Sequence, residues 1–241
     1  MHIYTHLYHN ARRSSPHTRF SVISAIVSLV VTVQPLAVAS AATRIVNPAD
    51  AGAFSTIQSA VVDSVPGDEI LVHPGTYKER VQYLSKELQI RSLEGPLVTI
   101  IDGSGPGIAP TVRCGDSLGA GTALVGFTIV GATNAGVFVF NNSRVEVRDC
   151  IFRNNTSTFV GGGIAVDNVS HVVAVNCLFH DNVAINGGAI GLIISTADVI
   201  NCTIVRNTAT SGPPFTGGGL FGIDASFHLR NSILFANIGQ E

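Results

Sequence analysis

The 241 residues carry 14 Lys and Arg against 16 Asp and Glu, with 12% charged and 46% hydrophobic residues. That balance excludes a disordered chain, which lacks enough apolar surface to offset the entropy of ordering. It offers no basic stripe for phosphates, so nucleic acid is not an expected partner, and the 25 glycines suit many short strands joined by tight turns.

Arg12, Arg13 and Arg19 precede an apolar run from Phe20 to Val33, and Ala39, Ser40 and Ala41 then make an A-x-A site. This layout predicts a secretory signal peptide over residues 1–41, cleaved after Ala41. The run is shorter than the ~20 residues of a spanning helix, so no membrane span is expected after cleavage. Removal of the leader gives a net charge of −5 and a protein expected to be secreted, extracellular or in the cell envelope.

Residues 42–68 read as an N-terminal cap. Ser55 or Thr56 can cap a short amphipathic helix with Ile57, Ala60, Val61 and Val65 on one face, ended by Pro66 and Gly67. A helix there would cover the open end of a solenoid, where strand edge and apolar core are otherwise bare. A strand follows with Ile70 and Val72 alternating, then a turn at Pro74, Gly75 and Thr76.

From residue 69 to 241 the chain is repetitive. Four segments superpose: Val145, Val147, Cys150, Phe152; Val172, Ala174, Cys177, Phe179; Ala197, Val199, Cys202, Ile204; and Phe227, Leu229, Ser232, Leu234. In each, two apolar residues alternate, one extra residue intervenes, and two more alternate. The extra residue would flip the second pair to the other face unless the chain bends. The bend falls at Asp149, Asn176, Asn201 and Asn231, the residue types beside Gly that best tolerate a left-handed backbone.

A third strand precedes each pair, opened by glycine before Val137, Ile164, Ile190 and Leu220. From these residues to the Cys position the distances are 13, 13, 12 and 12, while the return distances are 14, 13 and 18. A constant wall with a variable return loop predicts an all-β fold: a right-handed parallel β-helix, three strands per coil, with a short capping helix. Glycines and bend residues inside every unit exclude a helical bundle, and the repeated column excludes an immunoglobulin-like sandwich.

The stacked columns are expected to be structural. Cys150, Cys177 and Cys202 read as small buried fillers, with an inter-coil disulfide as the lesser alternative. Phe152 and Phe179 stack inside, and Asn155, Asn182, Asn207 and Asn237 form an amide ladder. Cys114 has no evident partner. The Asn-x-Ser/Thr triplets at Asn141, Asn154, Asn155, Asn168 and Asn201 arise readily in turns of this composition. Ile151, Leu178, Thr203 and Ile233 make an outward apolar stripe, for which the loop holding Pro213, Pro214 and Phe215 is the expected cover.

The segment FSTIQSAVVDSVPGDEILVHPGTYKERV, the later VGFTIVG and the repeated Cys-x-Phe unit with its downstream Asn and Gly-Gly resemble the cap and coils of pectin-lyase-like right-handed β-helix proteins. That resemblance spans nearly all of the mature chain. It implies the fold, and it implies polysaccharide as a substrate class in the enzymes of the superfamily, where carboxylates, an Arg base or Ca²⁺ do the chemistry in a groove on the outer wall. Ca²⁺ enters here only through this analogy, and no cofactor is identified from the residues. Pectin methylesterases carry paired Gln, two Asp and an Arg followed by Trp, whereas this chain has no Trp. No catalytic residue is carried over.

The polar surface candidates are Glu146, Asp198 and His228 in one outward row, His171 in the neighbouring row with Arg144, Thr196 and Ser226, and Asp167 near the corner after the glycine-opened strand. Asp224 lies two coils from Asp167, too far for an acid pair, and the patch as a whole is expected to be a solvated wall. His180 and Asp181 carry the same expectation. The functional expectation is a secreted or cell-surface module that binds polysaccharide or cell-surface components, or acts as a scaffold; the alternative is a lyase, esterase or hydrolase of the same superfamily. Only four residues follow Asn237, and the absence of a capping element there predicts that the coils continue in a longer protein.

Overall fold

A computed structural model describes residues 41–212 and 217–239; the signal-peptide expectation and the loop at Pro213, Pro214 and Phe215 lie outside the described residues. All strand pairs are parallel and follow one right-handed spiral. One coil runs Val137–Val139 on wall one, Arg144–Arg148 on wall two and Ile151–Arg153 on wall three. The next runs Ile164–Asp167, His171–Val175 and Leu178–His180, then Ile190–Ile193, Thr196–Ile200 and Thr203–Val205, then Leu220–Ile223, Ser226–Arg230 and Ile233–Phe235. Walls one, two and three contain six, eight and seven strands among the described residues.

The later coils add a feature to the expected three strands. After each ladder asparagine a short fourth strand forms, Thr156–Val160, Val183–Asn186, Thr208–Ala209 and Ile238–Gly239, and these pair in a sheet of their own. The corners behave as their chemistry requires: Asp149, Asn176, Asn201 and Asn231 take φ of +55°, +54°, +54° and +48°.

The columns lie in successive rungs. Leu178 N donates to Cys150 O and Thr203 N to Cys177 O, each at 2.9 Å, so the cysteines are stacked coil on coil. All four cysteines are free and buried, and the three stacked thiols each donate to a carbonyl of the coil below. Phe152 and Phe179 stack with centroids 4.7 Å apart and planes 6° from parallel. Cys114, fully buried on wall one in register with Val139, has its thiol pushed up by burial.

The amide ladder is continuous. Asn182 Oδ1 accepts from Asn155 Nδ2 at 3.0 Å, Asn207 Oδ1 from Asn182 Nδ2 at 2.9 Å and Asn237 Oδ1 from Asn207 Nδ2 at 3.0 Å. A second ladder, unforeseen from sequence, runs along the start of wall two: Ser143 N donates to Ser170 Oγ and Ser170 N to Ser195 Oγ, each at 3.2 Å, with all three serines buried. Asn168 Nδ2 reaches Asn141 Oδ1 at 2.8 Å beside it. Two of the Asn-x-Ser triplets are therefore repeats of one turn, whose Asn and Ser each bond to their counterparts.

The cap departs from expectation in two places. Helix α1 is Ile57–Asp63, with Thr56 as N-cap, and it buries Ile57, Ala60 and Val61. It stops before Val65, because Ser64 turns extended and Val65 precedes Pro66, which disfavours a helical residue before it; Val65 is exposed. The expected turn at Pro74, Gly75 and Thr76 instead opens the wall-three strand Gly75–Tyr77. Glu79 accepts from the N–H groups of Ile57 and Gln58, and Lys86 donates to the carbonyls of Val61 and Val62. Each charge thus sits at the helix end that attracts it.

Asp68 anchors the strand Thr43–Val46 beside the helix. Its carboxylate accepts from Ala42 N at 2.8 Å and Val65 N at 3.0 Å, and Arg44 lies 3.3 Å away. The Ala42 N–H foremost, then that of Val65 and the Arg44 charge, hold its pKa below the ordinary carboxylate value against burial. A depressed folded pKa gives stability that is complete above the unfolded value of ~3.9 and is lost as pH falls through the folded value. Asp68→Asn is accordingly expected to be less stable at pH 7 and to lose part of the acid-side slope. Urea unfolding followed from pH 7 to pH 2 measures it, and an unchanged slope below pH 4 would refute the assignment.

Candidate functional site

Wall two presents the polar rows. Strand alternation turns Val172, Ala174, Ala197 and Val199 inward, so their neighbours face out. Register sets Glu146 beside Val173, Val173 beside Asp198 and Asp198 beside His228; Arg144, His171, Thr196 and Ser226 align likewise. The structure joins the two rows diagonally. Asp198 Oδ2 lies 3.2 Å from His171 Nε2, its Oδ1 lies 3.2 Å from His228 Nδ1, and Arg230 approaches to 4.0 Å.

On the other side of the ring, His171 Nδ1 is 2.6 Å from Thr196 Oγ1. The Nε2 atom is buried and meets Asp198 as an ion-pair contact, outside hydrogen-bond geometry. Both side chains are 21% exposed, whereas His228 is 60% exposed. Burial pushes the His171 pKa below that of a free imidazole, the Arg144 charge acts in the same direction, and Asp198 opposes them. A groove of about 230 Å³ opens here, where the exposed Val169 and Ile194 stand beside His171, Thr196, Asp224 and Ser226.

The other candidates do not converge on this point. Glu146 pairs with Arg148 in its own strand. Asp167 belongs to another groove. His180 contacts Asp181, which Arg206 clasps at 3.0 and 3.1 Å; these partners, Arg206 first, hold the Asp181 carboxyl down to about 2. A Ca²⁺ ion takes six or more oxygens, and acids so dispersed do not fit one. Among the described residues no cluster of three or more His, Cys, Asp or Glu is arranged to hold a metal.

Wall one carries residues that the sequence reading passed over. Its outward row is Arg113, Phe138, Ala165, Gly191 and Phe221. Phe138 stacks on Phe140, whose other neighbour is the Arg113 guanidinium, 4.3 Å from the ring centroid. The segment after Asn155 folds over the row and places Val160 and Phe159 beside Ala165, leaving a trough of about 90 Å³. Its walls are Phe138, Phe159, Val160 and Ile193, with Asn134 and Asp167 as polar groups. Phe159 is 55% exposed. The available signal was an aromatic at the outward position of a strand whose stacked neighbours are Ala and Gly.

On wall three, Ile151, Leu178 and Thr203 line a shallow groove with Pro96 at its upstream end. The described residues flanking the Pro213 loop bond elsewhere, Ser211 to Ile185 and Gly217 to Gly187, at the junction of the fourth sheet with wall one. Among the described residues no helix is long and apolar enough to cross a membrane.

Solved pectin methylesterases share the architecture at low identity. One, in complex with hexasaccharide VII, superposes with TM-score 0.58 at 14% identity, over 83% of this chain and 68% of that one. The enzyme PemA from Erwinia chrysanthemi gives 0.55 at 13% identity, over 83% and 66%. No curated protein sequence matches significantly. The family model described as right handed beta helix region matches residues 99–239, more than half of the chain, and the protein belongs to that family of right-handed β-helices.

Proposed function

We propose that the protein binds polysaccharide along wall one, with the trough between Phe138 and Phe159 as its principal contact. The observation that carries this reading is the trough itself, where Phe138, Val160 and Ile193 form an apolar lining beside the exposed Phe159 ring, with Asn134 and Asp167 next to it. Aromatic rings pack against the C–H face of a sugar, while a few polar groups such as Asp167 and Asn134 fix its hydroxyls. The fold shared with pectin methylesterases, one of them solved with a hexasaccharide, supports a saccharide ligand. Secretion belongs to the same reading, supported by the Arg-flanked apolar leader with its A-x-A site.

The test is affinity electrophoresis and calorimetry against a panel of plant and microbial polysaccharides, with product release assayed in parallel. Phe159→Ala is expected to weaken binding about tenfold, the loss of one stacking contact, without changing thermal stability. Equal affinity of the variant and the parent, or no binding to any polysaccharide, would overturn the proposal.

A further inference from the structure

The groove at the start of wall two contains an acyl-transfer arrangement independent of the trough on wall one. We propose that Thr196 is a nucleophile for small acyl esters, with His171 as its general base and Asp198 as the group that stabilises the protonated ring. The contacts on which this rests are the 2.6 Å separation of Thr196 Oγ1 and His171 Nδ1, and the 3.2 Å approach of Asp198 Oδ2 to His171 Nε2. A hydroxyl within hydrogen-bond distance of an imidazole, whose other nitrogen faces a carboxylate at ion-pair distance, is the arrangement from which an activated hydroxyl is built.

Three features make the contacts more than a solvated wall. All three groups stand on adjacent strands, His171 and Thr196 as register partners and Asp198 two residues along from Thr196, so the sheet holds them without loops. Both Thr196 and His171 line the open groove, where a substrate atom can reach the hydroxyl. Asp198 is itself held from the far side by His228 and Arg230, which fixes the carboxylate against the ring.

The step balances within these groups. Thr196 Oγ1 bonds to the acyl carbon as its proton passes to His171 Nδ1, and the resulting imidazolium is stabilised by Asp198. Collapse breaks the bond to the alcohol, which leaves with the proton from His171. Water, deprotonated by the same ring, then cleaves the acyl-threonine ester and returns the hydroxyl and the carboxylic acid. The groove of about 230 Å³ is open to solvent beside the hydroxyl, and a small acyl ester is the simplest substrate to reach it.

The full-length protein is incubated with p-nitrophenyl acetate and, separately, with a fluorophosphonate probe. The expected result is hydrolysis together with a single covalent adduct, located by mass spectrometry on the peptide holding Thr196. Thr196→Val abolishes both, Thr196→Ser retains both, and His171→Gln lowers the rate at least a hundredfold, within the range for loss of a general base. The base must be neutral, so the rate rises with pH around a midpoint below that of free imidazole, held down foremost by burial and then by the Arg144 charge and His228, with Asp198 opposing them. An unmodified Thr196 in the parent protein overturns the proposal, as does hydrolysis by Thr196→Val within tenfold of the parent. Neither readout involves polysaccharide, so the two functional proposals fail separately.

Discussion

Asn182→Ala is expected to destabilise the fold by about 3–5 kcal/mol, a sum of buried polar groups left unpaired at about 1–3 kcal/mol each. Asn182 is fully buried at the centre of the amide ladder. Its Oδ1 accepts from both the backbone N–H and the Nδ2 of Asn155, at 3.1 and 3.0 Å, and its Nδ2 donates to Phe152 O and Asn207 Oδ1, both at 2.9 Å. The alanine methyl replaces none of these contacts. Asn155 N–H loses its acceptor in a place water does not reach, and the interfaces to the coils on both sides are damaged at once. Asn237→Ala makes the internal comparison, because that residue ends the described ladder and is half-buried. Urea unfolding of the two variants should give the larger loss at Asn182; an equal or smaller loss there would mean the ladder does not bind the coils together.

How much of this was legible in the sequence depended on what constrained each residue. The corner positions could be read because a left-handed φ admits few residue types, and Asp149, Asn176, Asn201 and Asn231 announce it individually. The Cys and Phe columns could be read because the core repeats one environment from coil to coil. Outward residues answer to no such repeat. The two rows of wall two were correctly assembled, yet the contact between His171 and Asp198 runs diagonally between rows, and only side-chain length and direction decide whether a diagonal pair meets. The wall-one trough was hidden for a related reason. Its floor is set by strand alternation, whereas the positions of Phe159 and Val160 follow from the path of the fourth strand, which no periodicity predicted. The serine ladder was in plain sight at Ser143, Ser170 and Ser195, but the first two also close Asn-x-Ser triplets and the third, preceded by Ile193 and Ile194, does not, so the triplet pattern hid the spacing that all three share.

Phe179→Ala is expected to cost about 3–5 kcal/mol through lost burial and the cavity left behind. Phe179 is fully buried, stacks on Phe152 and lies in register with Ile204 on the following coil. The size of that ring also explains a nearby glycine. Gly163 does not need a left-handed backbone, unlike Gly161 with φ of +62°. A Cβ at 163 would instead lie 2.9 Å from Phe179 Cδ1 and 2.7 Å from Ala189 O. The first clash comes from the ring inside the coil, the second from the backbone of the next coil, and they can be separated experimentally. Gly163→Ala should destabilise the parent, and the loss should shrink by about 1 kcal/mol in the Phe179→Ala background, where the methyl enters vacated space; coupling of this size is usual for residues in contact. It should not vanish, because Ala189 O remains. Strict additivity in a double-mutant cycle would show that the glycine answers only to the coil spacing; complete rescue would show that it answers only to the ring. Partial coupling is the outcome required if the glycine-opened strand is shaped both by the column it covers and by the coil stacked upon it.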